Sequence, residues 1–458
     1  MNRNVGIISL GCVKNTVDSE QMLSLLTKKG YTITNEPEKA HVLIVNTCGF
    51  IQSAKEESIE AIFDMARYKE EGACQVLCVT GCLTQRYEKE LLRDIPEIDC
   101  MLGVSQYKNI ANYLDSAFKQ QRVVSCARSE EFLESDRVLT TPSYSAYIRV
   151  SDGCNNRCSF CAIPLIRGHF RSRKTEDVLA EMTRLAKRGA KEQIIISQDT
   201  TRFGTDRGTT LKALLKEAVK IEGIEWLRVL YMYPDEVDDE LLELMAANKK
   251  IMPYLDLPLQ HISQRLLHKM NRRGEVPAIK AFLKKARDMG FCLRTTFIVG
   301  FPSETEEEFQ ELLDFVRETE FDRMGAFAYS PEDDTPAATF DDQIPEEVKQ
   351  ERLKKLMNLQ ATISKKRNLA LCGTVQQVMI TGHNGFTYEG RSPFHAPDAD
   401  GIITVFSNRN LHEGDIVPVK ITKASTYDLT GEVMDELTKP LNSASYIDDS
   451  YMYRAPRL

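Results

Sequence analysis

No apolar run in this 458-residue sequence reaches the roughly 18 residues that a membrane-spanning helix needs. The opening stretch MNRNVGIISLGC has too short an apolar segment for a signal peptide and no small-residue cleavage site. A cytoplasmic protein with no membrane partner is therefore expected. An excess of positive charge is missing as well. The net charge of −8 argues against a protein that coats nucleic acid through its phosphates, and it leaves room for a basic protein partner. Internal repeats and low-complexity tracts are absent too, so a chain of this length reads as two to four ordinary domains. What the sequence does have is twelve cysteines. In a cytoplasmic chain these are poor candidates for structural disulfides. The default cysteine is a small buried hydrophobe, so the task is to separate ligands from filler.

The pattern divides the chain into segments. Residues 1–125 alternate short Val- and Ile-rich runs (VGIISLGC, HVLIVNTC, QVLCVTGC) with helices near 16–29 and 53–70. That alternation predicts a doubly wound parallel-sheet α/β domain. Ser53 and Glu56 have the spacing of a capping box at the start of the second helix. Residues 126–142 are polar and read as a linker. From 143 to 370 a strand–helix repeat places strands at 146–151, 192–198, 226–231, 253–257, 292–299 and 323–329, with amphipathic helices between them. Six such units predict an open (β/α)6 partial barrel. A loop at 331–345 and a charged helix at 346–370 follow. Residues 371–437 carry short β-type runs between glycines and predict a small antiparallel β-barrel, with Pro418 at an edge or bulge. Residues 438–458 form a polar tail.

Cys154, Cys158 and Cys161 stand in SDGCNNRCSFCAIP, a C-x3-C-x2-C spacing directly after the first barrel strand. The carboxyl ends of barrel strands are where such folds build their sites. Three thiolates on one tight loop suit a 4Fe-4S cluster and leave one iron open. A zinc site completed by His169 and chance spacing are the alternatives, although zinc more usually shows two cysteine pairs. The loop resembles that of the radical S-adenosylmethionine superfamily, including the aromatic Phe160 before the third cysteine. The resemblance implies that a reduced cluster cleaves bound S-adenosylmethionine to generate a radical that takes hydrogen from an unactivated carbon. The cofactor does the hard chemistry and the protein positions it. Candidate positioning residues at other strand ends are Gln198, Asp199, Gln260, His261, Gly300 and Glu304. Ser303 stands where relatives commonly have glycine.

A second set, Cys12, Cys48 and Cys82, is scattered in sequence. Each follows an N-terminal strand run and lies beside a glycine, in LGC, TCG and TGC. Carboxyl ends of parallel strands share one sheet edge, so the three can converge on a second cluster. On the residues alone, buried structural cysteines remain the alternative. Cys74, Cys78, Cys100, Cys126, Cys292 and Cys372 lack this context and are assigned to packing or surface.

Together these features resemble the methylthiotransferase family over nearly the whole chain. The resemblance implies two 4Fe-4S clusters, a C-terminal TRAM-like module that helps bind substrate, a sulfur donor and a reductant such as flavodoxin or ferredoxin. Within the family, SLGCVKNTVDSE, AYSPEDDTPAA and YEGRSPFHAPDADG resemble the branch that modifies an aspartate β-carbon in ribosomal protein S-twelve. Residues 371–436 hold nine Asp/Glu against four Lys/Arg, which suits a basic protein better than RNA. No direct nucleic-acid substrate is expected. The alternatives are a transfer-RNA adenosine methylthiotransferase, a non-catalytic iron–sulfur electron carrier and a zinc-stapled RNA-binding module. Arg167, Arg171 and Arg173, after the cluster loop, read either as a carboxylate anchor or as a solvated stretch.

Overall fold

Val42–Thr47 and Val76–Gly81 are buried at every position, as strands covered on both faces must be. In the computed structural model, which describes residues 3–129 and 131–434, they are β3 and β4 of a six-stranded parallel sheet. The other strands are β1 (Arg3–Ser9), β2 (Tyr31–Ile33), β5 (Cys100–Leu102) and β6 (Val123–Ser125), in the order β2-β1-β3-β4-β5-β6. Helix α1 (Val13–Lys28) and, later in the chain, α6 (Ile110–Ala117) pack their apolar residues on one face. On the other face lie α2 (Gln52–Ala66) and α5 (Glu88–Asp94), with the short α3 (Tyr68–Glu71) and α4 (Cys82–Arg86) at the rim. The doubly wound domain is thus the observed one. The capping box at Ser53 does not form: the helix already starts at Gln52 with Ile51 as N-cap, and Gln52 Nε2 instead donates to Glu56 Oε1 at 2.8 Å.

The central segment holds β7 (Ser145–Arg149), β10 (Glu192–Ile196) and β11 (Trp226–Val229), followed by β12 (Tyr254–Gln260), β13 (Cys292–Val299) and β14 (Arg323–Ala328). A two-stranded flap, β8 (Ser151–Asp152) and β9 (Arg171–Ser172), brackets the cysteine loop and the helix α7 (Ile163–Arg167). The six barrel strands pair in parallel as two triplets. The triplets join where Leu227 meets Ile251 and where Met232 N donates to Asp256 O at 2.9 Å. Helices α8 (Thr175–Lys187), α9 (Leu211–Ala218), α10 (Asp239–Ala247), α11 (Gln264–Lys269), α12 (Val276–Asp288) and α13 (Glu306–Thr319) follow the strands, and together they cover the largest apolar core. A capping box does form at α13, where Thr305 and Glu308 exchange bonds. Helix α14 (Glu346–Leu369) then runs along β14.

The last domain is a closed barrel of β15 (Val375–His383), β16 (Tyr388–Arg391), β17 (Ile403–Phe406), β18 (Ile416–Ala424) and β19 (Leu429–Val433). It is not wholly antiparallel: β17 and β19 run in the same direction, because the fifth strand returns beside the third to close the barrel. Its β16–β17 loop reaches back into the partial barrel. There Ala396 shares a core with Tyr147, Ile194, Trp226 and Tyr254, and Glu192 takes Arg391 Nη2 at 2.6 Å. The polar tail lies outside the described residues.

Candidate active site

Because β1, β3 and β4 are neighbours, their carboxyl ends deliver Cys12, Cys48 and Cys82 to one edge. Cys12 is the N-cap of α1 and faces solvent, Cys48 is partly covered, and Cys82 opens α4 and is buried. The flanking glycines allow the close approach. A Cβ on Gly11 would lie 2.7 Å from Cys48 Cβ, and one on Gly49 would lie 2.8 Å from Leu83 Cα. The thiols feel one another. Burial pushes Cys82 up to about 12, with Cys12 and Cys48 adding to it and Arg167 opposing. Burial raises Cys48 as well.

The second triad lies on the loop after β8. Gly153 adopts φ +75°, and a Cβ there would collide with the His169 carbonyl. Cys154 N donates to Gly168 O at 3.2 Å, and Cys161 N to Cys158 O at 3.0 Å. The loop is pinned from the α11 side: Ser159 N donates to Met270 O and Ser159 Oγ to Lys269 O, each at 2.9 Å, while Asn271 Nδ2 reaches the Arg157 carbonyl, also at 2.9 Å. Arg272 Nη1 stands 3.8 Å from Cys158 Sγ. Phe160 meets Phe301 edge-on with centroids 6.5 Å apart. Burial pushes Cys154 up to about 11 and raises Cys161 also. Such thiols stay protonated unless a metal centre draws the charge away.

Helix α7 connects the two triads. It starts two residues after Cys161, and its Ile166 packs with Ala162 against Cys82 and Val104. Its last residue, Arg167, is buried, with Nη2 at 2.8 Å from Asn15 Oδ1, 2.9 Å from Asp18 Oδ2 and 3.7 Å from Cys82 Sγ. Asp18 also pairs with Arg149 of β7. The arginine stretch is therefore not solvated. Arg173 is buried between Glu134 and Glu181, and Arg171 lies 3.6 Å from Asp152. Sequence reasoning did not single out Asn15, Asp18 or Arg272. For the first two a signal exists, since Asn15 follows Cys12 by three residues and Asp18 follows Asn15 by three, the spacing of neighbours on a helix.

Gln198 and Asp199 stand beside the cysteine loop. Gln198 Nε2 donates to Asp152 Oδ1 at 3.0 Å, and Asp199 accepts from Asn156 Nδ2 at 2.8 Å. Burial raises the Asp199 carboxyl. Past β13, Gly300 N donates to Glu304, which also takes Arg352 Nη1 at 2.9 Å and contacts His261 Nε2 at 3.1 Å. Lys349 fills the space that a Gly300 Cβ would need. Gln260, the last residue of β12, adopts φ +74°. Ser303 sits at φ +70°, a conformation that costs glycine nothing.

Three polar atoms around the loop, Ser151 Oγ, Asn156 Oδ1 and Gln198 Oε1, are buried without a protein partner. Buried polar groups are normally satisfied, so these suit a polar ligand. His169, the candidate zinc ligand, is exposed with Nδ1 at 3.2 Å from Asn155 Oδ1. Among the described residues no three His, Cys, Asp or Glu converge on a single-ion position. A cubane, whose ligands bind separate irons, asks for a wider spacing.

Family models match the chain in three stretches: the Radical SAM superfamily over residues 148–316, Uncharacterized protein family UPF0004 over 4–103 and the TRAM domain over 372–434. In fold the chain is similar to the radical S-adenosylmethionine methyltransferase TsrM from Kitasatospora setae, solved with cobalamin and a 4Fe-4S cluster bound. The TM-score is 0.57 at 14% identity, over 74% of each chain. It is also similar to the cobalamin-dependent S-adenosylmethionine radical enzyme OxsB, with TM-score 0.51 at 12% identity over 79% of this chain and 58% of that one. Fold and cysteine loop together define a radical S-adenosylmethionine enzyme, which takes an iron–sulfur cluster and S-adenosylmethionine. Two relatives named Ribosomal protein uS12 methylthiotransferase RimO narrow the class. That of Clostridium novyi (strain NT) is 48% identical over 95% of this chain and 99% of its own length, and that of Acetivibrio thermocellus is 44% identical over 96% and 100%. The chain belongs to this methylthiotransferase family.

Proposed function

We propose that this enzyme inserts a methylthio group at the β-carbon of an aspartate in ribosomal protein S-twelve of the small subunit. The observation that carries the reading is the meeting of two cysteine triads through α7, the helix that leaves Cys161 and ends against Cys82. Cys154, Cys158 and Cys161 hold one 4Fe-4S cluster with an iron left for S-adenosylmethionine, and Cys12, Cys48 and Cys82 hold a second. When bound, the barrel cluster and its cofactor supply radical chemistry, and the second cluster supplies sulfur. The chain's own residues do the positioning. Ser151, Asn156, Gln198 and Asp199 offer polar contacts beside the loop, Phe160 wedges it against Phe301, and Gly300 with Glu304 shapes the end of β13.

The reading includes the domain limits 1–125, 143–370 and 371–437 with a linker at 126–142, and a cytoplasmic enzyme served by a reductant such as flavodoxin or ferredoxin and by a sulfur donor. Among the described residues no helix is long and apolar enough to cross a membrane. The acidity of the last domain supports a basic protein substrate only in part. Asp398 and Asp400 serve docking, since they accept from Tyr147 OH at 2.9 Å and from Tyr254 OH at 2.7 Å, while Glu413 and Asp428 stay exposed.

Replacing Cys12, Cys48 or Cys82 with Ala is expected to halve the iron content, from about eight to about four per chain. The same variants should still cleave S-adenosylmethionine but transfer no sulfur. Anaerobic iron and sulfide analysis with product mass spectrometry checks this, and unchanged iron in all three would overturn the second cluster.

A further inference from the structure

Buried cations where the N-terminal domain meets the partial barrel are matched by acids. Arg149 and Arg167 share Asp18, Arg137 has Glu20 and Glu181, and Arg86 has Glu332. Lys14 is the exception. It is the second residue of α1, two positions past Cys12, and keeps only 7% of its surface exposed. Among the described residues no carboxylate lies within 4.0 Å of its ammonium. Among the described residues its close partner is the face of Tyr231, with the ring centroid 3.3 Å away.

Tyr231 is itself held in an unusual state. It adopts φ +61°, a strained conformation for a tyrosine, just past the carboxyl end of β11. Its amide donates to Asp256 Oδ2 at 3.0 Å, and its carbonyl accepts from Thr200 N at 2.9 Å, next to Gln198 and Asp199. The pinned ring therefore carries the ammonium at the strand ends where barrel enzymes react, two residues from the cysteine of the other triad. A buried ammonium without an anion is costly, and a carboxylate is what would complete this site.

We propose that Lys14 is the counter-ion for the side-chain carboxylate of the aspartate that is modified, an inference that rests on the substrate reading given above. The carboxylate is one bond from the β-carbon, so anchoring it fixes the carbon that loses hydrogen. The ammonium also selects: an adenine base brings no negative charge to this point. Lys14 lies within SLGCVKNTVDSE, the stretch that resembles the ribosomal-protein branch.

The test measures binding of two synthetic peptides of S-twelve, one with the target aspartate and one with asparagine there, to reconstituted enzyme with S-adenosylmethionine and no reductant. Wild type should prefer the aspartate peptide by about tenfold or more, as for a charge-assisted hydrogen bond. Lys14→Met should bring the aspartate peptide down to the asparagine level, so that the preference vanishes, while Lys14→Arg should keep most of it. A role confined to packing on Tyr231 would weaken both peptides alike, and that result overturns the proposal. So does full preference retained in Lys14→Met. Iron content and melting temperature establish that folded holoenzymes are compared, with Lys14→Gln as the second variant. If wild type binds neither peptide, the substrate reading fails first and takes this one with it.

Discussion

Replacing Cys154, Cys158 or Cys161 with Ala abolishes reductive cleavage of S-adenosylmethionine, read as loss of 5′-deoxyadenosine release under dithionite. The three side chains sit on a loop whose shape does not depend on them. Gly153 makes the turn, and Ser159 and Asn271 tie the loop to the end of α11 through backbone carbonyls. Removing one sulfur costs stability only on the order of 1 kcal/mol, so the apo variants should fold and melt near cluster-free wild type. What is lost is a thiolate ligand, and no other cysteine stands in this loop to replace it. Arg272 at 3.8 Å from Cys158 would keep its place through the Pro258 carbonyl. Persistent deoxyadenosine formation in all three variants would overturn the assignment of this triad. The contrast with Cys12, Cys48 and Cys82, whose variants keep cleavage, separates the roles of the two sets.

Glu192→Gln should destabilise the seat of the C-terminal barrel by about 3–5 kcal/mol, the usual cost of breaking a fully buried ion pair from one side. Glu192 is wholly buried at the start of β10, with Arg391 Nη2 at 2.6 Å and Arg228 Nε at 3.2 Å. Burial alone would raise its carboxyl, but the two guanidiniums outweigh burial and hold it at about 2, against an ordinary 4.5. That difference is worth about 3 kcal/mol, in keeping with the first figure. Because the folded value is the lower one, the stabilisation is complete above about pH 4.5 and is lost as pH falls towards 2. Urea titrations of both proteins should therefore show a large gap at neutral pH that closes with acidification. A gap independent of pH would mean that packing, not charge, seats the barrel.

The strands carrying the cysteines were legible because buried parallel strands are apolar throughout. Val42–Thr47 and Val76–Gly81 stand out from their neighbours, and the glycines beside Cys12, Cys48 and Cys82 marked where the strands stop. The barrel repeat was legible for a related reason: its outer helices expose one face to solvent and so keep a clear period. Helix α1 broke that logic. Lys14, Asn15, Asp18, Glu20 and Gln21 are all buried, because α1 is wedged between its own sheet and the barrel and uses polar side chains to bind both. A rule that reads polar as exposed cannot see this. The same error left the arginines after Cys161 as an open question, although Arg167 and Arg173 are buried among carboxylates of distant segments. The short β6 and the parallel closure of β19 on β17 were missed because pairing partners far along the chain leave no local trace.

The most direct measurement of the central claim is the intact mass of ribosomal protein S-twelve from cells with and without this gene. The account predicts that S-twelve from the deleted cells is lighter by one methylthio substitution, and that restoring the gene, but not its Cys154→Ala form, returns the mass. An S-twelve mass that is the same in both cells would contradict it.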